Sequence, residues 1–162
     1  MQSVLEFVTS RSGEWQILLE VALAMLLGGV IGFERETASK PAGFRTHMLV
    51  AGSAALLVGI GFTLVDRSVQ TRWSEAVTAD PIRILQAIII GVSFLGAGTI
   101  FRGKRPEEVQ GLTTAASLLM SSGIGIAVAL RQFLLAVGVT LLVALVLRLL
   151  GKLEERLHHE QK

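Results

Sequence analysis

Five long apolar segments, separated by short groups of charged residues, dominate the pattern of the chain. The uninterrupted runs between one Asp, Glu, Lys or Arg and the next cover residues 21–33, 46–65, 84–101, 109–130 and 132–147. A bilayer core about 30 Å thick needs roughly 20 mostly apolar residues per helix. The pattern therefore predicts an all-α membrane protein with five transmembrane helices. Their expected spans are residues 15–34, 46–65, 82–101, 110–130 and 132–149.

The first and fifth apolar runs are shorter than a full span. The first has 13 residues and reaches full length by extending back through Glu20 to Trp15, a residue type enriched at membrane interfaces. That extension places the Glu20 carboxylate about a quarter of the way into the membrane. In the fifth, Arg131 and Arg148 complete the span by reaching outward to the interfaces. The N-terminal stretch lacks the basic start and cleavage site of a signal peptide, so we expect the first span to be retained.

The distribution of Lys and Arg predicts the orientation, because these residues concentrate in cytoplasmic connections. With the N-terminus outside, the inner side holds ten of the 15 basic residues and the outer side five. We therefore expect an outer N-terminus and a cytoplasmic C-terminus. The charged stretch GFERETASKPAGFRT, residues 32–46, then forms the first cytoplasmic connection. Residues 151–162 follow as a short cytoplasmic tail, either an amphipathic helix or a frayed, solvated end.

A weak internal repeat links the two halves of the chain. A shift of 68 residues superposes spans one and two on spans three and four without a gap. The matched pairs are Leu27 and Leu95, Gly28 and Gly96, Phe33 and Phe101, Gly43 and Gly111, Thr46 and Thr114, and Ser53 and Ser121. The pattern is consistent with a parallel duplication of a two-helix hairpin, a symmetry that transport folds use. Six matches are only modestly above chance in so biased a composition.

Composition supports the membrane assignment and excludes several functions. Hydrophobic residues make up 51% of the chain and charged residues 17%, against about 25% charged in soluble domains. The chain has no cysteine, which excludes disulfides and thiolate sites. Because the basic residues follow the topology, the net charge of +2 does not indicate a nucleic-acid partner. No nucleophile with a nearby base can be assembled, and His47 stands alone, so we expect no enzyme.

Three groups of charged residues are candidates for function. Glu20 is the one carboxylate expected inside the membrane, where such groups are functional candidates by default. Glu34 and Arg45 flank the first connection, either as part of a solvated charge run or as a pair that closes the hairpin. Asp80 and Arg83, in Asp-Pro-Ile-Arg, fit a helix N-cap or a charged site at the outer mouth. If a metal ion such as Mg²⁺ binds, Asp80 or Glu20 is its expected ligand.

Small residues recur at spacings that suit helix packing. Gly28 and Gly32 form a small-x-x-x-small pair in the first span, and the third presents Gly91, Gly96 and Gly98. Such residues let helix backbones approach closely inside a membrane. The fourth span is rich in Ser and Thr, which favours an interior position, whereas the Leu- and Val-rich fifth span is expected to face lipid.

Four blocks of the sequence resemble a known family. They read GGVIGFERE, AGFRTHMLVAGSAAL, DPIRILQAIIIGVSFLGAGTIFR and VQGLTTAASLLMSSGIGIAVAL. In order and spacing they are similar to the MgtC/SapB family of bacterial inner-membrane proteins, over most of the chain. The resemblance implies a five-span domain with a cytoplasmic C-terminus, in agreement with the charge distribution. Some members carry a cytoplasmic ACT-like domain after the last span, and we expect this chain to be a short form without it.

The resemblance also implies which residues matter. The family's motifs fall on Gly32, Glu34 and Arg35, on Gly43, Arg45 and Thr46, on Asp80, Pro81 and Arg83, on Gly91, Phe94, Gly96, Ala97 and Gly98, and on Gly111, Thr114 and Ala115. We therefore add Gly111 to the expected helix-packing residues and Arg35 to the charged ones. Ser93 stands where the family pattern has a glycine, which weakens the expectation of close backbone approach there.

The family is associated with growth at low magnesium and, in pathogens, with survival inside macrophages. Its best-known member is regarded as a regulator that contacts other membrane proteins, including ATP synthase. The resemblance thus implies a non-enzymatic protein that regulates partner membrane proteins in magnesium-limitation or acid-stress adaptation and in virulence. The alternative is a transporter of Mg²⁺, another cation or a small solute, formed as a homo-oligomer because five helices offer little room for a pathway.

Overall fold

The computed structural model describes residues 2–70, 80–102 and 109–159, with side chains over 13–66, 80–101 and 109–151. The helices are α1 (Gln2–Thr37), α2 (Phe44–Gln70), α3 (Pro81–Gly98), α4 (Leu112–Ala129) and α5 (Phe133–His159), and the strands are β1 (Phe101–Arg102) and β2 (Val109–Gln110). Every helix contains a segment long and apolar enough to cross a membrane. These segments are Gly13–Thr37, Phe44–Asp66, Pro81–Gly98, Leu112–Ala129 and Phe133–Gly151. The prediction of a helical chain with five membrane-spanning helices is confirmed.

Helices α1, α2 and α4 form the centre of the bundle. Each of the three packs against the other two, whereas α3 lies against α2 and α4, and α5 against α1 and α4. Of the 18 residues in each helix, eight are buried in α4 and three in α3. An interior position suits this hydroxyl-rich helix: Ser117 and Ser122 bond to backbone carbonyls of α4, and Ser117 also contacts His47 of α2, which lowers the cost of these hydroxyls in an apolar medium.

Close contacts between α1 and α2 depend on glycine. A Cβ atom at Gly28 would lie 2.5 Å from the carbonyl oxygen of His47, and one at Gly32 would lie 2.7 Å from Cα of Phe44. Neither distance is compatible with a real side chain. Gly28 and Gly32 therefore let the two backbones touch, which is how helices gain van der Waals contact when lipid competes for every apolar surface.

Among the described residues, α3 is the most exposed helix, and Gly96 alone of its three predicted packing glycines lies against a neighbouring helix. A Cβ at Gly96 would lie 3.3 Å from Cβ of Ala115 on α4. No atom of the described residues would lie within 4 Å of a Cβ at Gly91 or Gly98. The reason is that α3 contacts its neighbours through one face, whose buried residues are Ile88, Val92 and Gly96, and Gly91 and Gly98 lie on another.

The third span ends earlier than predicted, at Gly98 rather than at residue 101. The amide of Thr99 donates to the carbonyl oxygen of Gly96 at 2.9 Å, and the Thr99 hydroxyl donates to the same oxygen at 2.7 Å. These bonds close the last turn of α3. The chain then leaves the helix in an extended conformation.

A short antiparallel hairpin, which the apolar pattern does not predict, joins α3 to α4. Phe101 pairs with Gln110, and the next residue in β1 pairs with Val109. Gly111 then begins α4 with a φ of 90°, a left-handed conformation that favours glycine. A Cβ there would overlap the carbonyl group of Thr99. Gly111 is therefore a turn residue rather than the helix-packing residue that the resemblance implies.

One contact between helices recurs 68 residues later, as the internal repeat predicts, but the connection between α1 and α2 differs from that between α3 and α4. Gly28 lies against His47, and Gly96 lies against Ala115, the positions 68 residues further on. However, α1 continues to Thr37 and leads directly to α2, whereas α3 ends and a strand pair follows. The duplication and the orientation stay predictions. Lys104 and Arg105, which contribute to the charge count, lie outside the described residues, as do Lys162 and the tail side chains after residue 151.

Candidate functional site

A buried ion pair lies at the C-terminal end of α1. Nε of Arg35 donates to Oε2 of Glu34 at 2.7 Å, and Nη2 donates to Oε1 at 3.2 Å. The Arg35 side chain is 4% exposed and the Glu34 side chain is 9% exposed. Two parallel N–H···O bonds of this kind are the strong, geometrically specific form of an Arg–carboxylate pair.

This pair corrects both readings of Glu34 made from the sequence. Glu34 is neither part of a solvated charge run nor paired with Arg45, which is exposed. Consecutive residues point about 100° apart around a helix. Both can be buried here because α1 is covered on two sides, by α2 and by α4. The neighbouring guanidinium then reaches the Glu34 carboxylate without crossing the hairpin.

The hairpin of α1 and α2 is instead closed by Glu36. The amide of Phe44 donates to Oε2 of Glu36 at 2.8 Å. Residue 43, immediately before α2, is glycine, so no side chain at the N-cap position can accept from the first amides of the helix. Glu36 supplies that acceptor from the preceding helix, although nothing in the sequence pattern marks it for this role.

His47 links α2 to α4 in the interior. Its side chain is fully buried. Nδ1 donates to the carbonyl oxygen of Gly43 at 2.9 Å, and Nε2 lies 3.0 Å from Oγ of Ser117. The Ser117 hydroxyl also lies within donating distance, 2.8 Å, of the Thr114 carbonyl oxygen. The histidine that appeared isolated in the sequence is therefore the polar contact between two helices.

We call Glu34, Arg35, His47, Thr114 and Ser117 the histidine cluster. Glu34 and Arg35 are close enough to His47 to interact with it electrostatically, and all five residues are buried. One helical turn beyond Ser117, Oγ of Ser121 is also buried and has no hydrogen-bond partner among the described residues. A buried polar group without a partner is rare and often marks an ordered water or a functional position.

Replacing Ser117 by alanine should destabilise the protein by about 1–3 kcal/mol, because Nε2 of His47 then loses its partner in a buried position. The measurement is SDS-induced unfolding of the protein in detergent micelles, followed by circular dichroism. Ser53→Ala removes an exposed hydroxyl from α2 and serves as the matched control. Equal stability of the two variants would contradict the hydrogen bond.

Glu20 lies at the opposite end of the bundle in a second polar group. Nε2 of Gln16 donates to Oε1 of Glu20 at 2.9 Å, and Nε of Arg131 lies 3.4 Å from the same oxygen. Arg131 belongs to the short connection between α4 and α5. Glu20 is therefore buried against an arginine that reaches toward it from a helix connection, and its depth in the membrane stays a prediction.

Arg131 adopts an unusual backbone conformation to occupy this position. Its φ is 58°, in the left-handed region, and its amide donates to the carbonyl oxygen of Val128 at 2.8 Å. Glycine is the usual residue at such a helix end, and a residue with a Cβ costs roughly 1–2 kcal/mol more there. The connection thus holds an arginine where the backbone favours glycine.

Asp80 and Arg83 form an exposed helix start. Oδ1 of Asp80 accepts from the amide of Ile82 at 2.9 Å, and Pro81 is the first residue of α3. Nε of Arg83 lies 3.9 Å from Oδ2 of Asp80, with both side chains exposed. Asp80 is therefore the N-cap of α3, which is one of the two roles predicted for it from the sequence.

The residues predicted to hold a cation are each paired with an arginine. Glu20 has Arg131, and Asp80 has Arg83. Within the described ranges, no three His, Asp or Glu side chains are grouped so that they could hold a metal ion. The arrangement supports buried hydrogen bonding and helix contact more directly than metal coordination.

Comparisons with known proteins agree with this structure. The chain matches the family model described as MgtC family over residues 21–156. Protein MgtC of Salmonella typhimurium (strain LT2) is 37% identical over 141 residues, which is 87% of this chain and 55% of that protein. Protein SapB of Bacillus subtilis (strain 168) is 38% identical over 113 residues, 68% of this chain and 46% of that protein.

A third relative is named for magnesium. "Putative magnesium transporter YhiD" of Escherichia coli (strain K12) is 32% identical over 143 residues, 88% of this chain and 64% of that protein. The chain thus spans about half to two thirds of the length of these curated relatives. No solved structure matches the fold. Because the family match runs from α1 into α5 and includes the whole histidine cluster, the chain belongs to the MgtC family and is a multi-pass bacterial membrane protein.

Proposed function

We propose that this protein acts without catalysis in the bacterial inner membrane, by regulating partner membrane proteins during adaptation to magnesium limitation or acid stress, with a role in virulence. The link to magnesium and stress comes from the family. In this proposal the N-terminus is outside, and residues 151–162 are a cytoplasmic tail. The lipid bilayer and other membrane proteins are its partners, with ATP synthase the candidate that the family resemblance implies.

An exposed face of α3 supports this proposal. Gly91, Phe94, Leu95 and Gly98 follow the spacing i, i+3, i+4 and i+7, so they share one side of the helix. Phe94 is 80% exposed, and both glycines have open space at the position of a Cβ. Two glycines beside a projecting aromatic ring let a second helix approach closely inside a membrane. This face suits a helix of another membrane protein or of a second copy.

The interior supports a transporter less well. The charged and imidazole groups of the histidine cluster bond to one another, to the Ser117 hydroxyl or to a backbone carbonyl, and the buried core of the bundle is apolar, with residues such as Ala24, Ile31 and Val128. Each of the two carboxylates expected to handle a cation lies near an arginine, at 3.4 Å for Glu20 and at 3.9 Å for Asp80. An oligomeric transporter of Mg²⁺, another cation or a small solute is therefore the second candidate, for which the name of the E. coli relative is the main support.

Leucine at both Gly91 and Gly98 should lower the amount of specifically co-purified membrane partner by about tenfold, equivalent to about 1.4 kcal/mol of binding. The folded monomer should tolerate both substitutions because the space around these positions is open. Gly123→Leu, at an exposed glycine of α4 that is equally open, is the control. Unchanged co-purification in the double variant would count against this face as the partner site.

Cation flux into liposomes containing the purified protein separates the two candidates. The regulator predicts no flux above that of protein-free liposomes. Flux that is lost on Asp80→Asn or Glu20→Gln would overturn the regulator and establish the transporter.

A further inference from the structure

A cavity of about 340 Å³ opens where α1 meets the connection between α4 and α5. Most of its wall is apolar, formed by Leu19, Leu23 and Phe133. Gln16, Glu20 and Arg131 also line it and contribute a small polar part of the surface. The cavity is therefore an apolar groove with a charged pair among its lining residues.

The cavity lies at the depth of a membrane interface. Arg131 separates the end of one membrane-spanning segment, Leu112–Ala129, from the start of the next, Phe133–Gly151. On α1, the exposed Trp15 precedes Leu19 by one helical turn, and tryptophan is enriched at this level. The charged pair is thus near the lipid headgroups, whereas Leu23 lies one turn deeper toward the hydrocarbon.

The ion pair in the cavity is loose enough to accept a ligand. The 3.4 Å between Nε of Arg131 and Oε1 of Glu20 is longer than the 2.7 Å of the Glu34–Arg35 pair. The Arg131 side chain is 59% exposed, whereas that of Glu20 is 8% exposed. The guanidinium is therefore accessible from outside the bundle, and the carboxylate is the buried group.

We propose that this cavity binds a phospholipid with a zwitterionic ethanolamine headgroup. The ammonium group bonds to Glu20, the phosphate bonds to Arg131, and an acyl chain follows Leu19, Leu23 and Phe133. Charge complementarity selects this ligand, because a headgroup with both signs pairs with both members of the ion pair at once. Phosphate and guanidinium also form the bidentate hydrogen bonds that favour arginine at such sites.

Other common headgroups fit the same residues less well. An anionic glycerol headgroup satisfies Arg131 but leaves no cation for the buried carboxylate. A choline headgroup carries a bulky quaternary ammonium that cannot donate a hydrogen bond to Glu20. A buried polar group that loses its partner is the main source of such discrimination. The site should therefore prefer phosphatidylethanolamine to phosphatidylglycerol and to phosphatidylcholine.

Tryptophan quenching by brominated lipids tests this preference. The chain has two tryptophans, and Trp73→Phe leaves Trp15, beside the cavity, as the sole fluorophore. The Trp73→Phe variant is reconstituted in phosphatidylcholine bilayers that contain increasing fractions of one brominated lipid. We expect an apparent affinity for brominated phosphatidylethanolamine about tenfold higher than for brominated phosphatidylcholine or phosphatidylglycerol.

The same preference should disappear in Glu20→Gln and in Arg131→Gln, added separately to Trp73→Phe. Arg131 is a surface residue, so its variant tests the site without depending on burial. Asp80→Asn, which alters the exposed carboxylate at the start of α3, should keep the preference. Equal quenching by all three lipids, or a preference for phosphatidylglycerol, overturns the proposal. The proposal is also overturned if soluble phosphoethanolamine at a matched concentration displaces the brominated lipid and relieves the quenching. The ligand would then be a small solute rather than a lipid.

Discussion

Replacing Arg35 by methionine should destabilise the folded protein by about 3–5 kcal/mol, because the Glu34 carboxylate then stays buried without its cation. Two hydrogen bonds, at 2.7 and 3.2 Å, join these side chains in a position almost closed to solvent. The expected loss is large because the pair is almost closed to solvent, so that water cannot take the place of the guanidinium. SDS-induced unfolding in detergent micelles, followed by far-ultraviolet circular dichroism, measures it.

Two further variants identify the cause of that loss. Arg45→Met removes an exposed basic residue beside the same connection and should change stability by less than about 1 kcal/mol. The double variant Glu34→Leu/Arg35→Met should be more stable than Arg35→Met alone, since no uncompensated charge remains. A double variant as unstable as the sum of its single substitutions would show that the charge pair is not the reason.

Alanine at Gly125 should force α2 and α4 apart, with an expected loss of about 1–3 kcal/mol. A Cβ there would overlap the carbonyl oxygen of Ala51 and lie 3.1 Å from Cβ of Ala54. Backbone atoms in two packed helices cannot move aside as a flexible side chain can. A loss of stability would be informative, because helix propensity alone predicts a gain: alanine stabilises a helix relative to glycine by about 1 kcal/mol. The same unfolding assay applies.

Gly123 of the same helix is the matched control. It is exposed, and a Cβ at this position would meet none of the described atoms within 4 Å. Gly123→Ala should therefore leave the unfolding midpoint unchanged or slightly raised. If Gly123→Ala and Gly125→Ala had the same effect, helix propensity rather than the contact with Ala51 would be responsible.

The spans could be predicted from sequence because the membrane imposes a local requirement. Each helix must form the hydrogen bonds of its own backbone and be long enough to cross the hydrocarbon. The length of its apolar run therefore predicts the span, whatever its neighbours are. The same applies to Asp80, whose N-cap bond reaches only two residues along the chain. The interior position of α4 also follows locally, from hydroxyls that would be costly in lipid.

The partners of the polar residues could not be predicted in the same way. Glu34 was expected either to be solvated or to pair with Arg45, yet its partner is the next residue. His47 appeared isolated, yet it meets Ser117, 70 residues away. Gly125 received no role, whereas Gly91 and Gly98 were expected to pack and face open space. The spacing of residues along one helix is visible in the sequence, whereas the rotation of that helix about its axis is not.

Taken alone, the sequence determined the number and approximate limits of the helices, the family, and the residues able to carry charge. Only the tertiary structure decided which of them meet: Glu34 with Arg35, His47 with Ser117, and Glu20 with Arg131. The physical reason is that a span depends on the free energy of one helix in lipid, whereas a contact depends on the rotation and register of several helices at once. Packing of the whole bundle sets this rotation and register, and Gly28, Gly32 and Gly125 are positions where the helix backbones touch.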